Sequence, residues 1–445
     1  MEKLFGTDGI RATAGEYPLD YKSICTLGYT LIELLREEKL PPHVIIGRDT
    51  RESGPWIEQA LFQGIRDCNG EAVSAGLIPT SAISFLTNRH GYSAGIVISA
   101  SHNPYQDNGI KIFSAKGTKI ADAWEEILER AIIGSNYEGQ RRDMTISSDE
   151  AMSHDYVRFL KSRFEGVKLP RTIKIVLDCS NGASSYIAPD VFSDLGFDVY
   201  TISASPDGRN INKGCGSLHP QNLAEKVIET GADIGVAYDG DADRALWVDE
   251  KGRILNGDHT LFVLARFMKE ENRLKTDSVV ATIMSNMGLE KGLEELGLKL
   301  IRTKVGDKYV LDEMKKRNTN LGGEQSGHTI FLDDCPTGDG ILTSLKMLKV
   351  MAIKDTSLSR LVSGYEEYPQ ILKNVPVSKK PDMKSYPEIA SAIEEVEKLL
   401  AGLGRLNVRY SGTEPLARIM IEGPEQKKIE RYADDLASIL SKHLS

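Results

Sequence analysis

Three carboxylates alternate along Asp239-Gly240-Asp241-Ala242-Asp243, and Arg244 follows them. At this spacing they repel one another unless a cation sits among them, and Arg244 is the only compensating charge within the run. Ligands that are all oxygen suit Mg²⁺, which takes few carboxylates and keeps room for phosphate oxygens. The bland reading of any D-x-D is a solvated acidic turn. Here the run directly follows the apolar segment 234–237, so it opens at the carboxyl end of a predicted strand. That is where open α/β sheets place ligands. An EF-hand would also use this acidic spacing, with Glu250 at its twelfth position. Arg244 stands where that loop requires glycine, and both flanks read as strands, which excludes it.

Three further loops carry chemistry. Ser99-Ala100-Ser101-His102-Asn103-Pro104 follows another β run and offers a hydroxyl beside an imidazole; Lys111 lies just downstream. A lone Ser-His pair is usually incidental, and Asn-Pro alone is turn punctuation. Gly91-Tyr92-Ser93-Ala94-Gly95 matches the G-x-S-x-G elbow of serine hydrolases. It precedes its strand instead of following one, so it is a decoy. Gly322-Gly323-Glu324-Gln325-Ser326-Gly327-His328 brackets an acid, an amide, a hydroxyl and an imidazole, a set able to hydrogen-bond a polyol; a flexible polar connection is the plain alternative. Arg409-Tyr410-Ser411-Gly412-Thr413, with Arg418 beyond, can nest an anion on backbone N–H groups and grip phosphate through its arginines. The plain alternative there is a hairpin turn with exposed arginines. Together the four loops provide a hydroxyl nucleophile, a metal cradle, polyol contacts and a phosphate clamp. That combination describes phosphoryl transfer on a sugar.

The elements that must position these loops alternate strand and helix. Strands are predicted over 43–47, 95–99, 173–177, 234–237 and 279–283. Helices are predicted over 57–68, 123–133, 149–164, 258–270 and 309–315, so the fold class is α/β with mainly parallel sheets. A weak repeat sharpens this. The strands 44–49, 175–178 and 280–283 each lead through a small polar loop to a helix and then a glycine, at Gly70, Gly196 and Gly297, where positive φ is cheap. Three copies predict three related α/β domains, at 1–150, 151–252 and 253–369. A smaller α+β domain occupies 370–445, with a helix near 388–400, strands at 406–409 and 417–422, and a last helix. A cleft where the four domains meet would hold all four loops.

Composition agrees. The chain has 445 residues, 40% hydrophobic and 27% charged, an ordinary globular balance for about three or four domains. Net charge is −9, which argues against a nucleic-acid binder. The five cysteines, Cys25, Cys68, Cys179, Cys215 and Cys335, form no C-x-x-C pair and read as reduced, buried thiols. No stretch approaches the ~20 apolar residues of a membrane span, and Glu2 and Asp8 stand where a signal peptide needs a basic and then an apolar run. The expectation is a cytoplasmic protein with no nucleic-acid or membrane partner.

In this arrangement the sequence resembles the α-D-phosphohexomutase superfamily, along essentially the whole chain. The resemblance runs from Phe5-Gly6-Thr7-Asp8-Gly9-Ile10-Arg11 through Ser99–Pro104, Asp239–Arg244 and Gly323–His328 to Arg409–Pro415, in the family's order and approximate spacing. Gln325 and the segment 303–310, TKVGDKYV, are similar to the branch acting on glucosamine phosphates. Ala12 and Tyr410 depart from the family's usual Gly and Pro. The resemblance implies three α/β domains with mixed, mainly parallel sheets plus the smaller α+β domain. It implies interconversion of glucosamine 6-phosphate and glucosamine 1-phosphate through a phosphoserine and a 1,6-bisphosphate, supplying UDP-N-acetylglucosamine synthesis. Ser101 would carry the phosphoryl group, and Asp239, Asp241 and Asp243 would hold Mg²⁺ together with an oxygen at Ser101. Arg11, Lys111, Arg244 and His328 would surround the reacting groups. Glu324 and Ser326 would hold sugar hydroxyls, and Arg409, Ser411, Gly412, Thr413 and Arg418 the phosphate that is not transferred. The implied partner is a hexosamine phosphate, and the implied assembly a monomer or homodimer. The alternatives are a mutase of glucose or mannose phosphates and a Mg-dependent serine phosphatase.

Overall fold

A computed structural model of the chain describes residues 3–135, 137–139, 141–142, 144–411 and 415–444. It divides into two compact units, Met1–Met284 with Leu298–Ser363, and Ser285–Gly297 with Gly364–Ser445.

The larger unit contains three sheets. The first has six strands, in the order Phe5–Gly6, Gly9–Thr13, Asp107–Ser114, Ala94–Ile98, His43–Arg48, Glu71–Leu77. The second has five, ordered Ile254–Leu255, Ala245–Asp249, Ile234–Tyr238, Lys174–Asp178, Asp198–Ile202. The third has four, ordered Lys299–Thr303, Ser278–Thr282, Leu321–Gly323, Thr329–Phe331. Each sheet is a parallel trio extended by antiparallel strands. The strands of the sequence repeat, His43–Arg48, Lys174–Asp178 and Ser278–Thr282, are the central members of the three trios. Ala94–Ile98, Ile234–Tyr238 and Ser278–Thr282 are buried at every position. Such strands read as unbroken runs without alternation because neither face meets water.

The predicted helices appear at Gly54–Asp67, Asp122–Ile133, Glu150–Ser162, Gly257–Glu270 and Asp307–Arg317. The glycine stops hold at Gly196 and Gly297, with φ of 90° and 67°. After Gly54–Asp67 the left-handed residue is Asn69, φ 50°, not Gly70. Asn tolerates that region through local hydrogen bonding. Gly70 is needed for space, since a Cβ there would lie 2.6 Å from the Ile32 side chain.

The smaller unit carries a three-stranded antiparallel sheet, ordered Gln370–Pro376, Leu416–Glu422, Arg405–Tyr410. Helices Pro387–Leu400 and Gln426–Leu444 pack on it through a core that includes Ile389, Val396, Ile429, Leu436 and Leu440. All five cysteines are free and buried. Among the described residues no helix is long and apolar enough to cross a membrane.

Candidate active site

Ser101 lies beyond the carboxyl end of Ala94–Ile98, buried, with its backbone in the left-handed region at φ 51°. Its hydroxyl donates to Asp239 Oδ2 at 2.5 Å and lies 3.3 Å from His102 Nδ1. Burial, with Arg244 and Arg11 nearby, pushes His102 down to about 4, so the imidazole beside Ser101 is neutral at pH 7. One buried arginine shapes this loop. Arg51 donates to the carbonyls of Ser101 (2.9 Å), Asn103 (2.9 Å), Asp107 (3.0 Å) and Pro104, and pairs with Asp49 at 2.9 Å. Asp49 accepts from Ser99 Oγ at 2.6 Å, which in turn accepts from the Ser101 N–H at 2.9 Å. Asn212, from the second sheet's domain, donates to the carbonyls of Ser101 and Asn103 at 2.9 and 3.1 Å. The acidic loop approaches closely because position 240 is glycine; a Cβ there would meet the Ser101 carbonyl at 2.6 Å.

Asp239, Asp241 and Asp243 follow Ile234–Tyr238, all buried, with ligand oxygens within 4.8 Å of one another. Burial, then Asp243 and Asp241, drive the Asp239 carboxyl well above its usual range. Asp241 Oδ2 accepts from Thr80 at 2.6 Å and from Lys111 Nζ at 2.8 Å. Burial opposes its charge, but Lys111 outweighs that and holds Asp241 below the carboxylate range. Asp241 Oδ1 and Asp243 Oδ1 are buried without a hydrogen-bond partner among the described residues. Two orphaned oxygens in an all-carboxylate cluster are the donor set that a hard divalent cation requires, so these residues fit a metal ion.

Lys111 is itself buried and touches Asp8 at 2.9 Å and Asp243 at 3.4 Å as well as Asp241. Burial disfavours its charge, yet the three carboxylates hold it well above the ordinary lysine value. Asp8 also pairs with Arg11 and, at 2.7 Å, with Lys119, which reaches Asp307 at 2.6 Å. These three cations overcome burial and keep the Asp8 carboxyl well below its usual value. Arg244, whose Nε has no hydrogen-bond partner among the described residues, stays charged because Asp239, Asp243 and Glu324 outweigh its burial.

Glu324 follows Leu321–Gly323, again at the carboxyl end of a strand in a parallel trio, and its Oε1 accepts from the Gly306 N–H at 3.1 Å. Ser326 shares this loop, half-buried. His328 is bridged to Arg244 through the backbone, which joins this loop to the acidic one. Its Nε2 accepts from the Gly338 N–H at 3.1 Å, and its buried Nδ1 has no hydrogen-bond partner among the described residues. The larger unit therefore brings together Ser101, the three aspartates, Lys111, Arg11, Arg244, His328 and Glu324.

In the smaller unit Arg409 and Arg418 face each other directly across the antiparallel pair. Burial and Arg418 push the Arg409 guanidinium below its usual value. Like charges in register weaken a sheet, and an anion between them relieves it. Ser411 is buried, and its carbonyl accepts from Lys380 at 2.7 Å. Gly412 and Thr413 lie outside the described residues. Asp8, Arg51, Lys119, Asn212, Asp307 and Lys380 are not among the site residues expected from the sequence, since only chain folding assembles them; Asp8 and Asp307 do fall inside motifs that carry the resemblance.

The fold and these loops are those of a sugar-phosphate phosphotransferase. Four domain descriptions of one family match in succession: phosphoglucomutase/phosphomannomutase alpha/beta/alpha domain I over residues 2–137, domain II over 154–252, domain III over 256–368, and the C-terminal domain over 372–439. The chain belongs to the phosphoglucomutase/phosphomannomutase family, the α-D-phosphohexomutases. Phosphoglucosamine mutase of Koribacter versatilis is 46% identical over 449 residues, spanning 99% of this chain and 97% of the relative. Phosphoglucosamine mutase of Caldicellulosiruptor saccharolyticus is 46% identical over 451 residues, spanning 100% of both. A phosphoglucomutase/phosphomannomutase family protein of Burkholderia thailandensis shares the fold, with a TM-score of 0.80 at 24% identity over 99% of this chain and 97% of the other.

Proposed function

We propose that the protein interconverts glucosamine 6-phosphate and glucosamine 1-phosphate through a phosphorylated Ser101. The observation that carries this reading is the buried Ser101 hydroxyl, 2.5 Å from Asp239 at the edge of the carboxylate cluster. Full-length relatives at 46% identity that are phosphoglucosamine mutases supply the sugar. The P–Oγ bond of phosphoserine breaks as a bond forms to the free sugar hydroxyl, and the proton that this hydroxyl loses is balanced by the one gained at the freed Ser101 Oγ. The resulting 1,6-bisphosphate turns end for end and returns its other phosphoryl group to Ser101, and the sugar oxygen released regains a proton. Lys111 and Arg244 carry fixed positive charge to the transferring group, with Arg11 and His328 beside them. Mg²⁺ held by Asp239, Asp241, Asp243 and an oxygen at Ser101 would neutralise phosphoryl charge. Glu324 and Ser326 take sugar hydroxyls, and Arg409, Ser411, Gly412, Thr413 and Arg418 grip the phosphate that stays. Five buried thiols suit the reducing cytoplasm.

Purified protein assayed on the 6-phosphates of glucosamine, glucose and mannose, each with its bisphosphate, tests the reading. The expected result is fastest turnover on the glucosamine compound and one phosphoryl group on Ser101 by intact mass. Faster turnover of a neutral hexose phosphate would move the protein to a sister branch. Phosphate release matching isomerisation would make it a phosphatase.

A further inference from the structure

Away from these loops, the larger unit has a recessed cavity of about 220 Å³. Among the described residues four cations line it, Arg163, Arg273, Lys346 and Lys349, against one lining carboxylate, Asp334. Its floor is apolar, formed by Leu264, Phe267 and Phe331. None of these residues belongs to the candidate active site. We propose that this pocket binds a small oxyanion carrying two or more negative charges.

The charge balance supports this. Asp334 is already shared between Lys346 at 2.7 Å and Arg163 at 3.2 Å. Neither Arg273 nor Lys349 forms an ion pair among the described residues. Burial, then Arg273 and Lys346, push the Lys349 ammonium below the ordinary lysine range, and the opposing carboxylates Asp334 and Glu271 offset this only in part. The chain as a whole carries −9, so this excess of positive charge runs against the background. An apolar floor lowers the local dielectric and strengthens any ion pair made above it. Two guanidinium forks with two ammonium groups match a phosphoryl group or a pair of carboxylates. The cavity lies below the ~300 Å³ at which sites for larger ligands begin, which restricts the occupant to a small molecule.

The pocket is separate from the acidic loop. Helix Gly340–Lys354 begins where the Gly340 N–H donates to the Ala242 carbonyl at 2.9 Å. Lys346 and Lys349 lie roughly 9 and 14 Å farther along its axis, at about 1.5 Å per residue. An anion there makes no contact with the metal ligands, so its binding and the mutase reading can be tested apart.

Calorimetric titration of the full chain with inorganic pyrophosphate, and separately with citrate, both with chelator present, tests the proposal. Arg273→Gln/Lys349→Gln removes two charges and keeps most of the bulk. The expected result is a binding event that the double variant weakens on the order of tenfold or more, with turnover of glucosamine 6-phosphate unchanged. Pyrophosphate alone binding this way identifies a phosphoryl ligand; citrate alone identifies a polycarboxylate. Binding of neither probe, or equal affinity in wild type and double variant, overturns the site. So does binding that Arg418→Ala abolishes and the double variant leaves intact.

Discussion

Arg51 directs both terminal nitrogens of its guanidinium at one short loop, the loop that carries Ser101, and its Nε at Asp49. A lysine ammonium cannot span Asp49 and four carbonyls at once. Arg51→Lys is expected to loosen the loop and lower kcat by roughly 10- to 100-fold, since small misplacements of a reacting group have that effect. KM for glucosamine 6-phosphate should hardly move, and an unchanged kcat would show that the clamp does not position Ser101. Arg51→Met should unfold more readily, by about 3–5 kcal/mol, because Asp49 is left buried and unpaired; chemical denaturation reads this directly. Ser101→Ala should abolish turnover while altering stability by no more than ~1 kcal/mol, the worth of its hydrogen bond to Asp239. Turnover above trace level would remove Ser101 from its role and make Ser99 the next suspect. Ser101, Lys111 and the three aspartates were legible because each stands in a short run whose chemistry is local. Arg51, Asn212 and Lys119 were not, because what defines them is a partner at a separation in sequence such as the 111 residues between Asn212 and Ser101.

Helix Gly340–Lys354 supports the acidic loop from behind, and its cap is titratable. Asp339 Oδ1 accepts from the Leu342 N–H at 2.9 Å, and Oδ2 accepts from Tyr156 Oη at 2.9 Å. Burial, which the hydrogen bonds from Leu342, Tyr156 and Ser81 offset only in part, pushes Asp339 up to about 6. A carboxyl whose folded value is raised contributes stability that is complete below its unfolded value, 3.8, and is lost as pH rises through about 6. The loss is about 3 kcal/mol for a shift of this size. Asn caps helices as well as Asp but cannot ionise. Asp339→Asn should therefore gain stability relative to wild type between pH 4 and 7, measured by urea unfolding across that window; a gap independent of pH would place the charge elsewhere. Elements are legible in the sequence where burial is uniform, as in Ile234–Tyr238, or where repeats recur. Strand Gln370–Pro376 escaped because it lies at a sheet edge, with Lys373 and Asn374 inside it and Pro376 at its end, where no ladder hydrogen bond forbids proline. Asn69 escaped because glycine is only the commonest residue for a left-handed stop.

The reaction as a whole sets a demand that no single loop meets. In either direction the sugar retains one phosphate while the other moves, so one grip must serve both the 1- and the 6-phosphate. The facing Arg409 and Arg418 suit this, because two like charges in register favour an anion whatever carbon bears it. On the proposed reading Arg418→Ala would remove a charge-assisted contact worth ~1.5–3 kcal/mol, which corresponds to an expected loss in kcat/KM of order 10- to 100-fold. The reaction's equilibrium constant ties the two directions together, so that loss must appear in both and cannot by itself identify the clamp. The discriminating substrate is glucosamine without phosphate. Offered to the phosphorylated enzyme, it presents the same hydroxyl to Ser101 but nothing for the arginines to hold. Wild type and Arg418→Ala should phosphorylate it at the same slow rate, while differing by the full factor on glucosamine 6-phosphate. An equal loss on both acceptors would mean that Arg418 acts through the fold of its sheet and not through the phosphate, and the clamp would then have to be sought on other residues of that unit, with Lys380 beside Ser411 the first to test.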